Sequence, residues 1–576
     1  MALSFARNLC HYALMHDRPS DLSPGQLRFI PQRSVKWLSP RVLADTAARL
    51  GLARALGAYL DKRELLGFYP QEVFDHSQKD ELWIDYVADI GDGFNATYSV
   101  AHQMSQPELE VDGEPLPRGD ILIMGGDEVY PSANWREYEN RTKGPYQAAN
   151  PQEKVDLYAI PGNHDWYDGL TAFSRLFMQK RHIGGYQTKQ QRSYFALKLP
   201  HDWWLFAIDA EFDAYLDEPQ LEYFREAAER MRPGDRVILC VPQPSWVWTE
   251  LDRRSFDRID YFIEKIVKPR EGTVPLILTG DRHHYARYAE IDGDRQLVTA
   301  GGGGAYTSPT HNLPMRLNAP PKESIASVGG ESKEYRLEQT YPTRSKSWRY
   351  GFGIFHRLPG RNPGFVTFLG LLHLIALVSI LQGTGPGVTA CAGLLLVATL
   401  FAQPVAGGRL IKHWALGLGH GAAHIGLAFG GTTVWRTFEY SGIFAYIAYV
   451  GIAGLAAVWL VGAYLLLANR YGVNANELFA GLSVIDSKCF LRLKVTQESV
   501  TVYPIGIPKS SRKWRANPQG ADGTPWIEPT KPIRHELIET PFSVPAPGPK
   551  RAEIPAQNRL RTFIGQAFGM DQSRET

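Results

Sequence analysis

Ala159-Ile160-Pro161-Gly162-Asn163-His164-Asp165 is the stretch around which the rest of the chain falls into order. A short apolar run, Leu157 to Ile160, ends in a Gly-Asn-His-Asp turn, which puts an amide, an imidazole and a carboxylate at the mouth of an expected strand. A neutral amide oxygen is a poor metal ligand alone, and it becomes useful where carboxylates have already gathered the ion. Carboxylates and imidazoles do stand at the ends of other apolar runs. Trp83 to Ala88 leads into Asp89-Ile90-Gly91-Asp92, and Ile121 to Met124 leads into Gly125-Gly126-Asp127-Glu128-Val129-Tyr130. Val237 to Val241 leads into Pro242-Gln243-Pro244, and Leu276 to Thr279 leads into Gly280-Asp281-Arg282-His283-His284. Each unit reads as a buried strand, a small or turn residue, then residues of ligand type. Ligands on several strand ends converge at one edge of a sheet, where open-sheet sites lie.

The order Asp-x-Gly, Gly-Asp, Gly-Asn-His-Asp, Gly-x-x-His resembles the calcineurin-like metallophosphoesterase superfamily, which includes the purple acid phosphatases. The resemblance runs from Trp83 to His311. It implies an αββα sandwich and an enzyme that hydrolyses a phosphomonoester or phosphodiester with a metal-bound hydroxide, and the apolar spans over 363–470 would make it membrane-anchored. It implies two divalent or mixed-valence metal ions, drawn from Mn, Fe, Zn or Mg. On the matching positions, Asp89 and His283 would bind the first metal, Asp127 would bridge both, and Asn163 would bind the second. His164 and Asp165 would stand beside the leaving group, with His164 as proton donor or phosphate contact. Tyr130, three after Asp127, matches a metal-bound tyrosine or is a packing aromatic.

Two positions depart from the family pattern. Its fourth motif has a His where this chain reads Pro242 beside Gln243, and its Gly-His-x-His has Asp281 as the first His. The second metal set becomes Asp127, Asn163 and Asp281, oxygen-rich and harder, which favours Mn, Mg or Ca over Zn. Asp92 and His284 are candidates to restore a ligand. The alternative is a catalytically degenerate head that serves as a regulatory or ligand-binding module on a membrane protein.

The chain has 576 residues, too many for one core, so two to four units are expected. A net charge of +2 gives no argument for nucleic acid. The four cysteines (Cys10, Cys240, Cys391 and Cys489) lack paired spacing, so neither a disulfide framework nor a structural zinc site is expected, and a reducing compartment is. Met1 to Pro19 has no clean apolar core, so no signal peptide is expected.

The expected units are 1–75, an irregular and helical segment with a helix over Arg41 to Leu66; 76–320, the α/β phosphoesterase domain; and 321–362, a basic linker. Then follow 363–470, a four-span transmembrane bundle, and 471–576, a soluble segment with a β-hairpin and a Pro-rich tail. The four spans are Gly364 to Leu381, Gly387 to Val405, His413 to Val434 and Ile443 to Ala468, each near the length that crosses a bilayer. Basic residues flank the first and last spans, so a multi-pass protein with cytoplasmic soluble parts is expected. The partners expected are the bilayer and a phosphoester, with a lipid-linked one suggested by the anchoring. His420 and His424, one helical turn apart, read either as a metal, proton or headgroup site or as neutral imidazoles bonding across glycine-rich helices; the second reading is favoured.

Overall fold

The computed structural model describes residues 27–46, 48, 49, 51, 72–210, 216–322, 330–402, 410–474, 476–517 and 523–546. The helix expected over Arg41 to Leu66 is helical at 40–46, and 52–66 lie outside the described residues, as does the end of the Pro-rich tail.

The apolar runs form strands. The first is β1 (Leu82–Val87), followed by the helix α1 (Phe94–Met104), then β2 (Ile121–Met124) and β3 (Val155–Ala159). The second group is β4 (Trp203–Ala207), β5 (Arg236–Val241), β6 (Thr273–Thr279), β7 (Tyr285–Glu290) and β8 (Gln296–Ala300). Strands β1, β2 and β3 pair in parallel, as do β4, β5, β6 and β8, while β7 runs antiparallel to β8. Parallel pairing puts the C-terminal ends of these strands on one edge, so all five motif turns emerge there.

The period of two within each strand sorts the side chains. Leu82, Ile84 and Tyr86 pack with Leu205, Ile238 and Leu276 between the sheets. Trp83 and Val87 face the other way and join the core under the helices, together with Phe94 and Tyr98 of α1. Two nine-stranded sheets face each other in this way, with helices outside both. Each fully buried apolar side chain contributes ~1.5–3 kcal/mol before chain entropy is counted.

Beyond this domain come two short helices, α2 (Arg344–Gly351) and α3 (Ile354–Arg361), and four long ones: α4 (Pro363–Gln382), α5 (Thr384–Phe401), α6 (Leu410–Thr437) and α7 (Ile443–Arg470). Three of these, α4, α5 and α7, are long and apolar enough to cross a membrane. Among the described residues, the fourth expected span, α6, is not one of them. Its six glycines, with Lys412, His413, His420, His424 and Arg436, dilute its hydropathy below that of its neighbours. Helices α4 and α7 approach closely at Gly370 and Gly454, where an added Cβ would lie 2.1 Å from the Val450 carbonyl and 2.3 Å from the Val366 carbonyl. The imidazoles do bond across helices: His424 lies between His373 on α4, 3.0 Å away, and His420, 3.1 Å away.

After α8 (Glu477–Leu482) come β9 (Lys488–Val495) and β10 (Ser499–Ile507), an antiparallel pair. Strand β9 pairs with β1 from Leu491↔Tyr86 to Val495↔Leu82. The first sheet therefore runs β10-β9-β1-β2-β3 at its centre. Chain from both sides of the long helices builds one sheet, and Arg492 pins it. Its guanidinium is wholly buried, reaches Asp85 Oδ1 at 2.7 Å and Oδ2 at 3.1 Å, and donates to the carbonyls of Leu116 and Met104.

Candidate functional site

Three sequence-predicted carboxylates share one backbone state. Asp89, Asp127 and Asp281 have φ of 58°, 55° and 62°, in the left-handed region. Such strained positions cluster where a site over-determines them, and Asp tolerates them better than most residues. Glycines let the chain close over these groups. A Cβ on Gly301 would lie 2.0 Å from Asp89 Oδ2, and one on Gly162 would lie 2.2 Å from Asp127 Oδ1. The glycine run after β8 and the glycine of the Gly-Asn-His-Asp turn are thus fitted to the carboxylates themselves.

Asp89, Asp127 and His283 converge on Tyr130. Its hydroxyl lies 3.0 Å from Asp89 Oδ1, 3.0 Å from Asp127 Oδ2 and 3.1 Å from His283 Nε2. All four residues are buried. One phenolic proton cannot satisfy two carboxylates and an imidazole, and Asp89 Oδ2 is buried without a hydrogen-bond partner. Burial, then repulsion from Asp281, holds the Asp89 carboxyl well above the usual carboxylate range. Burial, then Asp89, Asp165 and Asp281, does the same for Asp127. Burial drives the His283 imidazolium well below its ordinary value. Two carboxylates, a phenol and a neutral imidazole are an oxygen-rich donor set with one nitrogen, and they fit a hard or borderline cation. Among the described residues no three His, Cys, Asp or Glu side chains form a ready metal cage; the Tyr130 hydroxyl stands in the middle of this group.

The second set is looser. Asp127 Oδ1 accepts the His164 backbone N–H at 2.8 Å. Asn163 donates its amide to the Tyr167 hydroxyl at 3.2 Å, which leaves its carbonyl oxygen for another partner. The Asp281 backbone N–H donates to Asp89 Oδ1 at 3.2 Å, and its half-buried side chain stands 4.0 Å from Arg282. These three offer oxygens only. Pro242 lies against Gly126, close to the strand edge, and brings no ligand.

The other predicted residues are placed as follows. His164 is ringed by Tyr130, Trp37 and Tyr167. Its Nδ1 lies 2.7 Å from the Pro131 carbonyl, which can only accept, so Nδ1 carries the proton and Nε2 keeps a lone pair. Burial lowers this imidazole to about 4. Asp165 is not at the open face. It is wholly buried and braces the turn, accepting the N–H groups of Gly162 and Glu128 and the Tyr138 hydroxyl. Asp92 is not brought to the other carboxylates: it accepts the Val35 N–H at 2.7 Å and ties down the N-terminal segment. His284 is buried and lines, with Arg282, a cavity whose walls do not include the Tyr130 group.

Several groups were not foreseen. Glu128 is wholly buried against Asp165, and burial followed by that neighbour holds it well above the carboxylate range. Its signal was the second acid of Gly-Asp-Glu. Tyr306, just after the glycine run, sets its ring edge-on to His283 at 4.5 Å. Lys488 of β9 donates to the Ala305 carbonyl from a buried position and lends positive charge to Asp89 and Asp92. Burial lowers its ammonium to about 8.

Comparison with known proteins adds a family. A family model described as calcineurin-like phosphoesterase matches residues 82–285. Among solved structures, GAP50, the anchor in the inner membrane complex of Plasmodium, is 14% identical, with 47% of this chain and 86% of that chain covered and a TM-score of 0.32. PhoD is 10% identical, with 41% and 59% covered and a TM-score of 0.27. Both likenesses are too low to bear on the fold, and no curated protein matches. Residues 82–285 therefore form a domain of the calcineurin-like phosphoesterase family.

Proposed function

We propose that this protein is a metal-dependent phosphoester hydrolase whose head is tied to a membrane by its long helices. The observation that carries the reading is the meeting of Asp89, Asp127, Tyr130 and His283 at one point. Pro242 and Asp281 fall outside that donor set, which weighs against a degenerate head. These four residues would hold the first cation; Asp127, Asn163 and Asp281 would hold a second, harder one. Bound there, the metal would supply Lewis-acid activation of water and of the phosphoryl oxygens. The chain's own residues do the rest. The Asp127 carboxylate spans the two sets. The His164 Nε2 lone pair takes a proton from the attacking water, and as an imidazolium it passes that proton to the leaving oxygen. Asp165, through the Gly162 N–H, fixes the turn that presents Asn163 and His164.

Four crossings with both soluble parts on the cytoplasmic side fit best. Strands β1 and β9 pair in one sheet, so the chain before α4 and after α7 lies on one side of any bilayer. An even number of crossings is then required, which favours α6 crossing with α4, α5 and α7.

The raised carboxylates give a pH test. With no metal, the folded state binds more protons than the unfolded state from the ordinary carboxylate range upward, so its stability falls as pH rises through that window. A cation must displace those protons and relieve the repulsion. Addition of Mn²⁺ is expected to raise the melting temperature more at pH 8 than at pH 6. An equal or smaller rise at pH 8 would count against metal at these carboxylates.

A further inference from the structure

The candidate site lies at the ends of the long helices. Tyr306, edge-on to His283, packs in one apolar cluster with Leu465 and Ala468 of α7. Beside it opens a cavity of about 810 Å³, lined among others by Trp248, Arg282, His311, Arg344, Trp348 and Arg470. Arg470 is the last residue of α7 and is exposed. Two bonds fasten the cavity to that end. Asn312 donates to Asn469 Oδ1 at 2.8 Å, and Arg282 Nη1 donates to Asn476 Oδ1 at 3.1 Å. The Arg282 guanidinium lies 4.2 Å over the Trp248 ring, and Arg344 holds the loop wall by donating to the His311 and Leu313 carbonyls.

The rim has the character of a membrane surface. Helices α2 and α3 and the turn between them expose Trp348, Phe352 and Phe355 shortly before α4 begins at Pro363. Lys346, Arg349 and Arg357 lie on the same two helices. Exposed aromatics among basic residues at the start of an apolar helix mark headgroup depth. The cavity opens at that depth, with Arg470 and Arg282 for an anion and Trp348, Trp248 and Leu251 for apolar chain.

We infer that this cavity binds the phosphate-bearing headgroup of an anionic amphiphile drawn from the membrane surface, and that such a lipid phosphoester is the substrate class. Only the second clause rests on the phosphoesterase reading above. The chain's two kinds of wall match the two ends of the ligand: guanidinium for phosphate, aromatic for the first methylenes. His283 of the candidate site lies between Arg282 and His284 in the chain, both of which line the cavity. Arg282, which lines the cavity, also stands 4.0 Å from the Asp281 carboxylate, so a headgroup seated there lies beside the second donor set.

The test uses the full chain in detergent micelles and phosphatidic acid with a photoreactive diazirine in its acyl chain. Crosslinks are expected on peptides bearing Trp248, Leu251 and Trp348. Excess unlabelled phosphatidic acid should remove them, and inorganic phosphate should not. In Arg470→Gln they should weaken about fivefold, the weight of one arginine at a lipid surface. Crosslinks confined to α4–α7 would overturn the inference. Equal competition by inorganic phosphate would do so too, marking a site for free phosphate. A second arm compares kcat/KM for phosphatidic acid in mixed micelles with that for p-nitrophenyl phosphate. The ratio should fall about fivefold in Arg470→Gln, and an unchanged ratio would refute the substrate class. A parent protein that turns over neither substrate, yet crosslinks as expected, defeats the phosphoesterase reading and leaves the binding site standing.

Discussion

Asp127→Asn is expected to lower hydrolysis of bis(p-nitrophenyl) phosphate by about 10³-fold or more, a loss of roughly 4 kcal/mol of transition-state stabilisation. The substitution keeps the side chain's shape and removes its charge. Asp127 is the group common to both donor sets: Oδ2 faces the Tyr130 hydroxyl and Oδ1 takes the His164 N–H. An amide can place only one acceptor oxygen, so either the first set loses an oxygen or the His164 N–H meets an NH₂ donor. A purely structural role predicts a different pattern. Burial and the neighbouring acids make the Asp127 carboxylate costly in the folded, metal-free state. Neutralising it should leave the metal-free melting temperature level or raise it. Turnover lost with stability kept is the expected result, and undiminished turnover would remove Asp127 from the mechanism.

The largest stability effect is expected at Arg492. Arg492→Met should cost ~3–5 kcal/mol, because it strands the Asp85 carboxylate and two backbone carbonyls in the interior. The expected readout is a lower melting temperature for the head, with fewer protected amides in β1 and β9. The pair is less valuable than its breakage suggests, since a buried ion pair costs much in desolvation. The double variant Asp85→Leu/Arg492→Met should therefore recover much of the loss. A single variant as stable as the parent would mean that β9 is only a peripheral edge, contrary to its pairing along β1.

The strand ends and their order were legible because each ligand residue follows an apolar run of strand length, and the family pattern fixed which acids to watch. What adjacency could not say was which way a turn faces. Asp89 and Asp92 are three residues apart, yet one meets Tyr130 and the other holds Val35. His283 and His284 likewise part: one meets the Tyr130 hydroxyl and the other lines the neighbouring cavity. The hairpin of β9 and β10 carried its period of two, but a period names no partner. Nothing local announced that Lys488 and Arg492 would serve a sheet begun some four hundred residues earlier. The glycines and histidines of α6 were visible, but their cost to hydropathy was outweighed by the length of the apolar stretch.

Elemental analysis of the detergent-purified full chain, as metal ions per chain, decides whether this site holds a metal. At least one ion per chain is expected, held by Asp89, Asp127, Tyr130 and His283, and its loss is expected in Asp127→Asn. A second ion would place Asp281 and Asn163 in a working pair with Asp127. No bound ion, even after incubation with Mn²⁺ or iron, would mean that these residues hold no metal and that hydrolysis does not run through one here.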